Sequence, residues 1–206
     1  MCRRVPVRPV RFNVRSLRVA VVAALLLGGL SAGVSEAQFG RQYGRRRREP
    51  RFYTNPNSSQ AVRQWFPSAA SVTQVEGTPP HITVYGAPSG AGGQAPVLGY
   101  AFWTTDLVPS EEGYHGPIKM LVGLMPNGRI TGVVVDSDTE PYGYFSVEPP
   151  EFGAQFAGKS ILDHFRVGDD VDAVSRASIS VGSATRAIRD SVRIMARAVL
   201  KPGDVR

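Results

Sequence analysis

Four hydroxyl side chains crowd one short stretch of this chain. Ser175, Ser178, Ser180 and Ser183 fall within Asp172-Ala-Val-Ser175-Arg176-Ala177-Ser178-Ile179-Ser180-Val-Gly182-Ser183. They stand where an amphipathic segment begins, so each is a candidate to cap a helix by accepting a bond from a free N–H of its first turn. Those free N–H groups, with the helix dipole behind them, also form a natural phosphate site. One segment therefore offers a hydroxyl able to carry a phosphate and a helix end able to hold it. The plainer reading is an ordinary capping region. Ser178 is not read as a hydrolase nucleophile, because no Gly-x-Ser-x-Gly elbow is present. His81, His115 and His164 are dispersed without metal-ligand spacing, so no metal site is assigned.

The elements that must position this segment follow from periodicity. Ala184, Ile188, Val192, Met195 and Val199 recur at spacings of three and four. Arg186, Arg189, Arg193 and Arg197 line the other side, which reads as a solvated face. A helix is expected from about Ser180 to Leu200, stopped by Pro202-Gly203. Upstream, His81–Tyr85, Val97–Thr105, Pro117–Met125 and Arg129–Asp136 read as strands. Asn127-Gly128 between the last two suits a type I′ hairpin turn. Residues 86–96 read as a flexible loop, and Pro150–Phe156 as a short helix ended by Gly158. The expected class is α+β: an antiparallel sheet backed by helices, with a long C-terminal amphipathic helix after the serine-rich stretch.

Charge is unevenly spread. The chain of 206 residues has a formal net charge of +7. Six arginines lie within residues 1–18, and six more are Arg41, Arg45, Arg46, Arg47, Arg48 and Arg51. From Gly77 onward there are 11 basic and 14 acidic residues, a net of −3. That part lacks the charge of a nucleic-acid binder. The basic start, the apolar run Val19–Leu30 and the ending Ser35-x-Ala37 describe a secretory signal peptide cut after Ala37, with an uncleaved membrane anchor as the alternative. The expected location is periplasmic, or membrane-anchored and facing the periplasm. Residues 38–76 read as a basic, largely disordered linker with room for a short helix at 58–66, and residues 77–206 as one folded domain. Arg45–Arg48 read as a solvated tail with the capacity to touch anionic headgroups. The only cysteine, Cys2, lies in the signal, so the mature chain has no thiolate for a metal, an Fe–S cluster or a disulfide.

Asp172-x-x-Ser175-Arg176-Ala177-Ser178 resembles the flavinylation motif of the FMN-binding domain family, usually Asp-x-x-Ser/Thr-Gly-Ala-Thr. Further pieces fall in the family's order: Gly99-Tyr100-Ala-Phe102, Gly113-Tyr114-x-Gly116-Pro117-Ile118, LVGLMPNGRITGVVV, Glu140-Pro141 and Phe156-x-Gly158-Lys159-Ser160. They look most like the N-terminal domain of the membrane flavoprotein regulator of nitrous oxide respiration. The C subunit of sodium-translocating NADH:quinone oxidoreductase and the Rnf G subunit are similar but more distant.

The resemblance implies FMN, linked by a flavin transferase through its phosphate to Ser178. It also implies phosphate contacts or capping by Ser175 and Ser180, and a role for Asp172 in presenting the motif to the transferase or in bonding backbone amides. Tyr114, Tyr142 and Tyr144 become candidates to stack on the flavin or to pack in the core. Glu140 becomes a candidate to bond flavin polar atoms or a solvated turn residue. Two positions depart from the usual motif: serine replaces the threonine acceptor, and Arg176 replaces glycine. If that backbone needs positive φ, Arg176 is strained there. In an ordinary conformation it would be free to pair with the phosphate. The function implied is an exported electron-transfer flavoprotein serving membrane-bound redox proteins. The alternatives are a flavin-containing redox sensor and a flavin-free binding module.

Overall fold

A computed structural model describes residues 51–201 except residue 91, together with residues 203 and 205. The expected signal peptide, its cleavage site and the Arg45–Arg48 run lie outside the described residues. Eleven elements follow in order: β1 (Tyr53–Thr54), α1 (Ser58–Trp65), β2 (Ser71–Val72), β3 (Ile82–Tyr85), β4 (Val97–Trp103), α2 (Thr104–Leu107), β5 (Lys119–Leu124), β6 (Ile130–Asp138), a 3-10 turn (Gly143–Phe145), α3 (Pro150–Ala154) and α4 (Ser178–Val199). The six strands form one antiparallel sheet in the order β1-β6-β5-β4-β3-β2. The fold is α+β, as the residue pattern predicts.

The β5–β6 hairpin departs from the expected turn. Of the pair Asn127-Gly128, only Gly128 has positive φ, at +80°. Gly128 N–H donates to Met125 O at 3.0 Å, and Met125 N–H donates to Arg129 O at 2.8 Å. This is a three-residue loop in which a left-handed glycine follows a tight turn, not the two-residue type I′ form. Proline at 126 explains the difference, since its ring holds φ near −65° and favours the second position of an ordinary turn.

Side chains alternate across the sheet into two cores. Met120, Val122 and Leu124 of β5 point to one side, where Phe152 and Phe156 meet Val181, Ile188, Val192 and Met195 of α4. Leu121 points to the other side, joining Val84, Ala101, Ala61, Val62 and Phe66. The segment expected to be a disordered linker supplies that second cover from Arg51 onward. Its α1 lies on the sheet, and β1 and β2 are the two edge strands.

The reason lies in three glycines. Gly123 and Gly132 are directly paired across β5 and β6. A methyl group on Gly132 would lie 2.2 Å from Trp65 Nε1, and one on Gly123 would lie 2.8 Å from the same ring. One on Gly99 in β4 would lie 2.4 Å from Phe66. The bare backbone makes a trough for Trp65 and Phe66, and burying such aromatics contributes about 2–3 kcal/mol each. Polar composition conceals this, because two aromatics carry most of the packing. Gly132→Ala should therefore lift Trp65 from its seat and cost about 1–3 kcal/mol. Thermal melts with tryptophan emission test this, and an unchanged Tm with unchanged emission would remove the trough argument.

Candidate functional site

The serine-rich stretch forms a turn and then a helix. Ala177 N–H donates to Val174 O at 3.2 Å, closing residues 174–177 into a turn. Arg176, its third residue, has φ +69°. A turn closed this way with positive φ at the third position follows the type II pattern, which favours glycine there. The strained alternative for Arg176 is thus the one the structure adopts. A non-glycine residue in left-handed backbone costs about 1–2 kcal/mol. Arg176 remains exposed on the turn.

Ala177 is buried and serves as the N-cap of α4. A buried cap with no side-chain oxygen leaves the helix start without a side-chain cap. This corrects the expectation that one of the four serines caps it. Ser180 and Ser183 are buried, while Ser175 and Ser178 are exposed. Val181 N–H is the first to find a helical partner, Ala177 O at 2.9 Å. The N–H groups of Ser178, Ile179 and Ser180 have no protein partner among the described residues. Helix starts are normally satisfied by a cap, water or ligand, and this one has the positive end of a 22-residue helix behind it. Ser178 presents its exposed hydroxyl at that same place.

Ser180 and Glu140 play different parts from those expected of them. Glu140 is fully buried, neither a solvated turn residue nor free to meet a ligand. Its carboxylate accepts from Tyr114 N–H at 3.1 Å, from His115 N–H at 2.8 Å and from the Ser180 hydroxyl. Ser180 is therefore spent on Glu140 rather than on phosphate or on a cap. The link clamps the first turn of α4 to the 113–116 loop, which Gly113 N–H closes on Gly116 O at 2.7 Å. A methyl group on Gly113 would lie 2.5 Å from a Glu140 oxygen, so the clamp needs glycine there.

The clamp holds Tyr114 beside the open helix start, with its side chain 61% exposed. Among the described residues, Tyr114 has no aromatic neighbour. Tyr142 and Tyr144 are also exposed but lean on Phe145, with ring centroids 5.7 and 4.9 Å away. Tyr144 also carries the Arg51 guanidinium over its face. None of the three is core filler. Asp172 is exposed, and its backbone N–H donates to Gln155 Oε1 at 2.7 Å. The arginine row is less solvated than its pattern suggests. Arg186 pairs with Glu111 on the loop before Gly113, and Arg193 donates to Ile161 O and Asp163 O at 3.1 and 2.9 Å.

Asp138 is a further ionisable group that spacing did not reveal. It is buried at the end of β6, and its Oδ1 accepts from Glu140 N–H at 2.8 Å. Its Oδ2 has no partner among the described residues. Burial pushes its carboxyl up to about 6, against the pull of the Glu140 N–H, and the nearby Glu148 and Glu140 carboxylates add to the rise. Arg51, bridged to Glu148, opposes it.

Residues 113–193 match the family model of the FMN-binding domain. The matched segment starts at the loop that Glu140 holds and ends within α4. It takes in β5, β6, the 172–178 motif and the open helix start. It leaves out α1 and the strands β1–β4. No curated protein matches the chain. The site fits an FMN phosphate: the free N–H groups of Ser178, Ile179 and Ser180 can donate to its oxygens, and Tyr114 offers an exposed ring nearby.

Two outcomes test this geometry. Arg176→Gly relieves the left-handed strain, partly offset by the greater freedom of glycine in the unfolded chain, so stability should rise by up to about 1 kcal/mol. A lower Tm would contradict the turn assignment. Asp138→Asn removes a group whose raised value favours the protonated native form. That stabilising effect is complete below the ordinary value near 4 and is lost as pH rises through about 6. The variant should melt several degrees above wild type at neutral pH, with the gap closing toward about pH 4. A gap constant with pH would argue against the burial of this carboxyl.

Proposed function

We propose that this chain is an exported flavoprotein that carries FMN as a phosphoester on Ser178 and passes electrons among membrane-bound redox proteins. The observation that supports it best is the open start of α4. An exposed hydroxyl, three free N–H groups and a left-handed turn converge there within the matched FMN-binding segment. In this reading a flavin transferase docks on the exposed 172–178 turn. Asp172 faces solvent there, available for presentation to that enzyme.

Ser178 supplies the nucleophilic oxygen. Its new O–P bond replaces the phosphoanhydride bond of a flavin dinucleotide, a nucleoside monophosphate leaves, and the hydroxyl proton passes to the transferase or to solvent. The N–H groups of Ser178, Ile179 and Ser180 then hold the phosphate charge in the field of the helix dipole. Tyr114 would offer its exposed ring to the flavin, and Glu140 keeps Tyr114 and the helix start in fixed relation. The flavin, once bound, supplies the electron transfer, and the protein supplies tether, orientation and field. Covalent attachment suits an exported carrier, because a dissociated flavin outside the cytoplasm could not readily be replaced.

The test is expression with a flavin transferase, followed by denaturing electrophoresis and intact mass. Wild type should give a fluorescent band with the added mass of one FMN, and Ser178→Ala a dark band of unmodified mass. Flavin released from wild type on denaturation would replace the covalent link with simple binding. Absence of flavin from both fractions would end the flavoprotein reading.

A further inference from the structure

The far end of α4 carries a second feature, independent of the flavin reading. Ile161, Leu162, Ala196, Leu200 and Val205 line an open groove of about 540 Å³. Arg193, Arg197 and Lys201 complete its lining. Leu162 stands 69% exposed beside it, an unusual place for a leucine in a tight turn. Single exposed leucines are ordinary on protein surfaces, but one beside an apolar groove lined in part by cations is a patch.

The cations distinguish its occupant. Arg193 is engaged with two backbone carbonyls and lies over the Phe165 ring. Arg197 is exposed and donates through Nε to Arg193 O at 3.0 Å. Among the described residues, none of Arg193, Arg197 and Lys201 pairs with an acid, whereas Arg186 and Arg189 on the same helix both do. The domain as a whole is acidic, so this local excess of positive charge runs against its average. Apolar floor, protruding leucine and cations without an acid partner among the described residues are complementary to anionic headgroups above acyl chains. The groove is also open rather than enclosing, which suits a surface better than a sequestered small ligand.

We infer that the groove at the C-terminal end of α4, with Leu162 beside it, is a docking face for an anionic phospholipid bilayer. Leu162 and Leu200 enter the boundary between headgroups and chains, and Arg197 and Lys201 meet the phosphates. Each cation adds about 1 kcal/mol at an anionic surface, so the contact is weak and reversible. Ser178 and Arg197 are 19 positions apart, which places the flavin end of the helix about 28 Å along its axis from the docked end.

Purified full-length protein carrying Leu162→Trp is mixed with phosphatidylcholine vesicles containing brominated phosphatidylglycerol. Local insertion should quench the added emission relative to the Trp65 and Trp103 background. Arg197→Glu with Lys201→Glu on top of Leu162→Trp should shift that quenching to at least about tenfold higher lipid in titration. Both cations are exposed, and unchanged melting of the charge-reversed protein confirms that the fold persists. Quenching at residue 162 is the deciding readout, since Val19–Leu30 and Arg45–Arg48 can hold the chain on vesicles without placing this residue in lipid. No quenching would overturn the proposal. So would equal quenching by brominated phosphatidylcholine alone, or quenching indifferent to the two charge reversals. Saturable binding of free laurate without vesicle quenching would reassign the groove to a soluble ligand.

Discussion

The buried Glu140 carboxylate is the constraint from which the site takes its shape. It joins three pieces distant in the chain: the loop before β5, the segment after β6 and the first turn of α4. Hydrogen bonds to a charged group contribute about 1.5–3 kcal/mol each, and a buried carboxylate deprived of them is heavily penalised. Glu140 receives two backbone N–H bonds and one hydroxyl bond, so the arrangement is stable only with all three in place. The Ser180 hydroxyl is thereby engaged with Glu140 rather than free at the open helix start. What it gives in exchange is orientation, because Tyr114 cannot drift from α4 while Glu140 holds both.

A second consequence concerns what caps the helix. An ordinary start would use Ser175 or Ser178 to satisfy the first N–H groups, and the helix would then have little to offer an anion. Here the N-cap is a buried alanine, and the chain reaches it through a left-handed Arg176. Strain at Arg176 and the missing cap are both local losses of stability. Such losses persist where the surroundings over-determine the backbone, and they gather at binding sites. The long apolar face of α4 supplies that determination, with Val181, Ala184, Ile188, Val192 and Met195 all buried in the main core.

Much of this was legible in the residues, and the exceptions are instructive. The strands β3 to β6 and α4 follow from periodicity because each buries a regular face. The position of Arg176 was legible as a question, since a motif that usually has glycine there advertises positive φ. The role of α1 was not legible, because its packing rests on Trp65 and Phe66 meeting glycines on three strands. Composition reports such a segment as polar and pattern reports it as short. Glu140 escaped for another reason. A carboxylate beside Pro141-Tyr142-Gly143 has the local signature of an exposed turn, and its partners lie 25, 26 and 40 positions away.

The matched FMN-binding segment spans the residues that make these contacts. Its first residue, Gly113, is the one whose missing side chain lets Glu140 reach the backbone. Its last stretch is the helix whose apolar face anchors the open start. Between them, β5 and β6 do little chemistry, but they fix the distance between clamp and helix by burying Met120, Val122, Val133 and Val135 in the same core as α4. The part outside the match, α1 with β1 to β4, widens the sheet and covers its second face. The segment therefore carries the site, while residues from Arg51 to Trp103 complete the sheet and its second core.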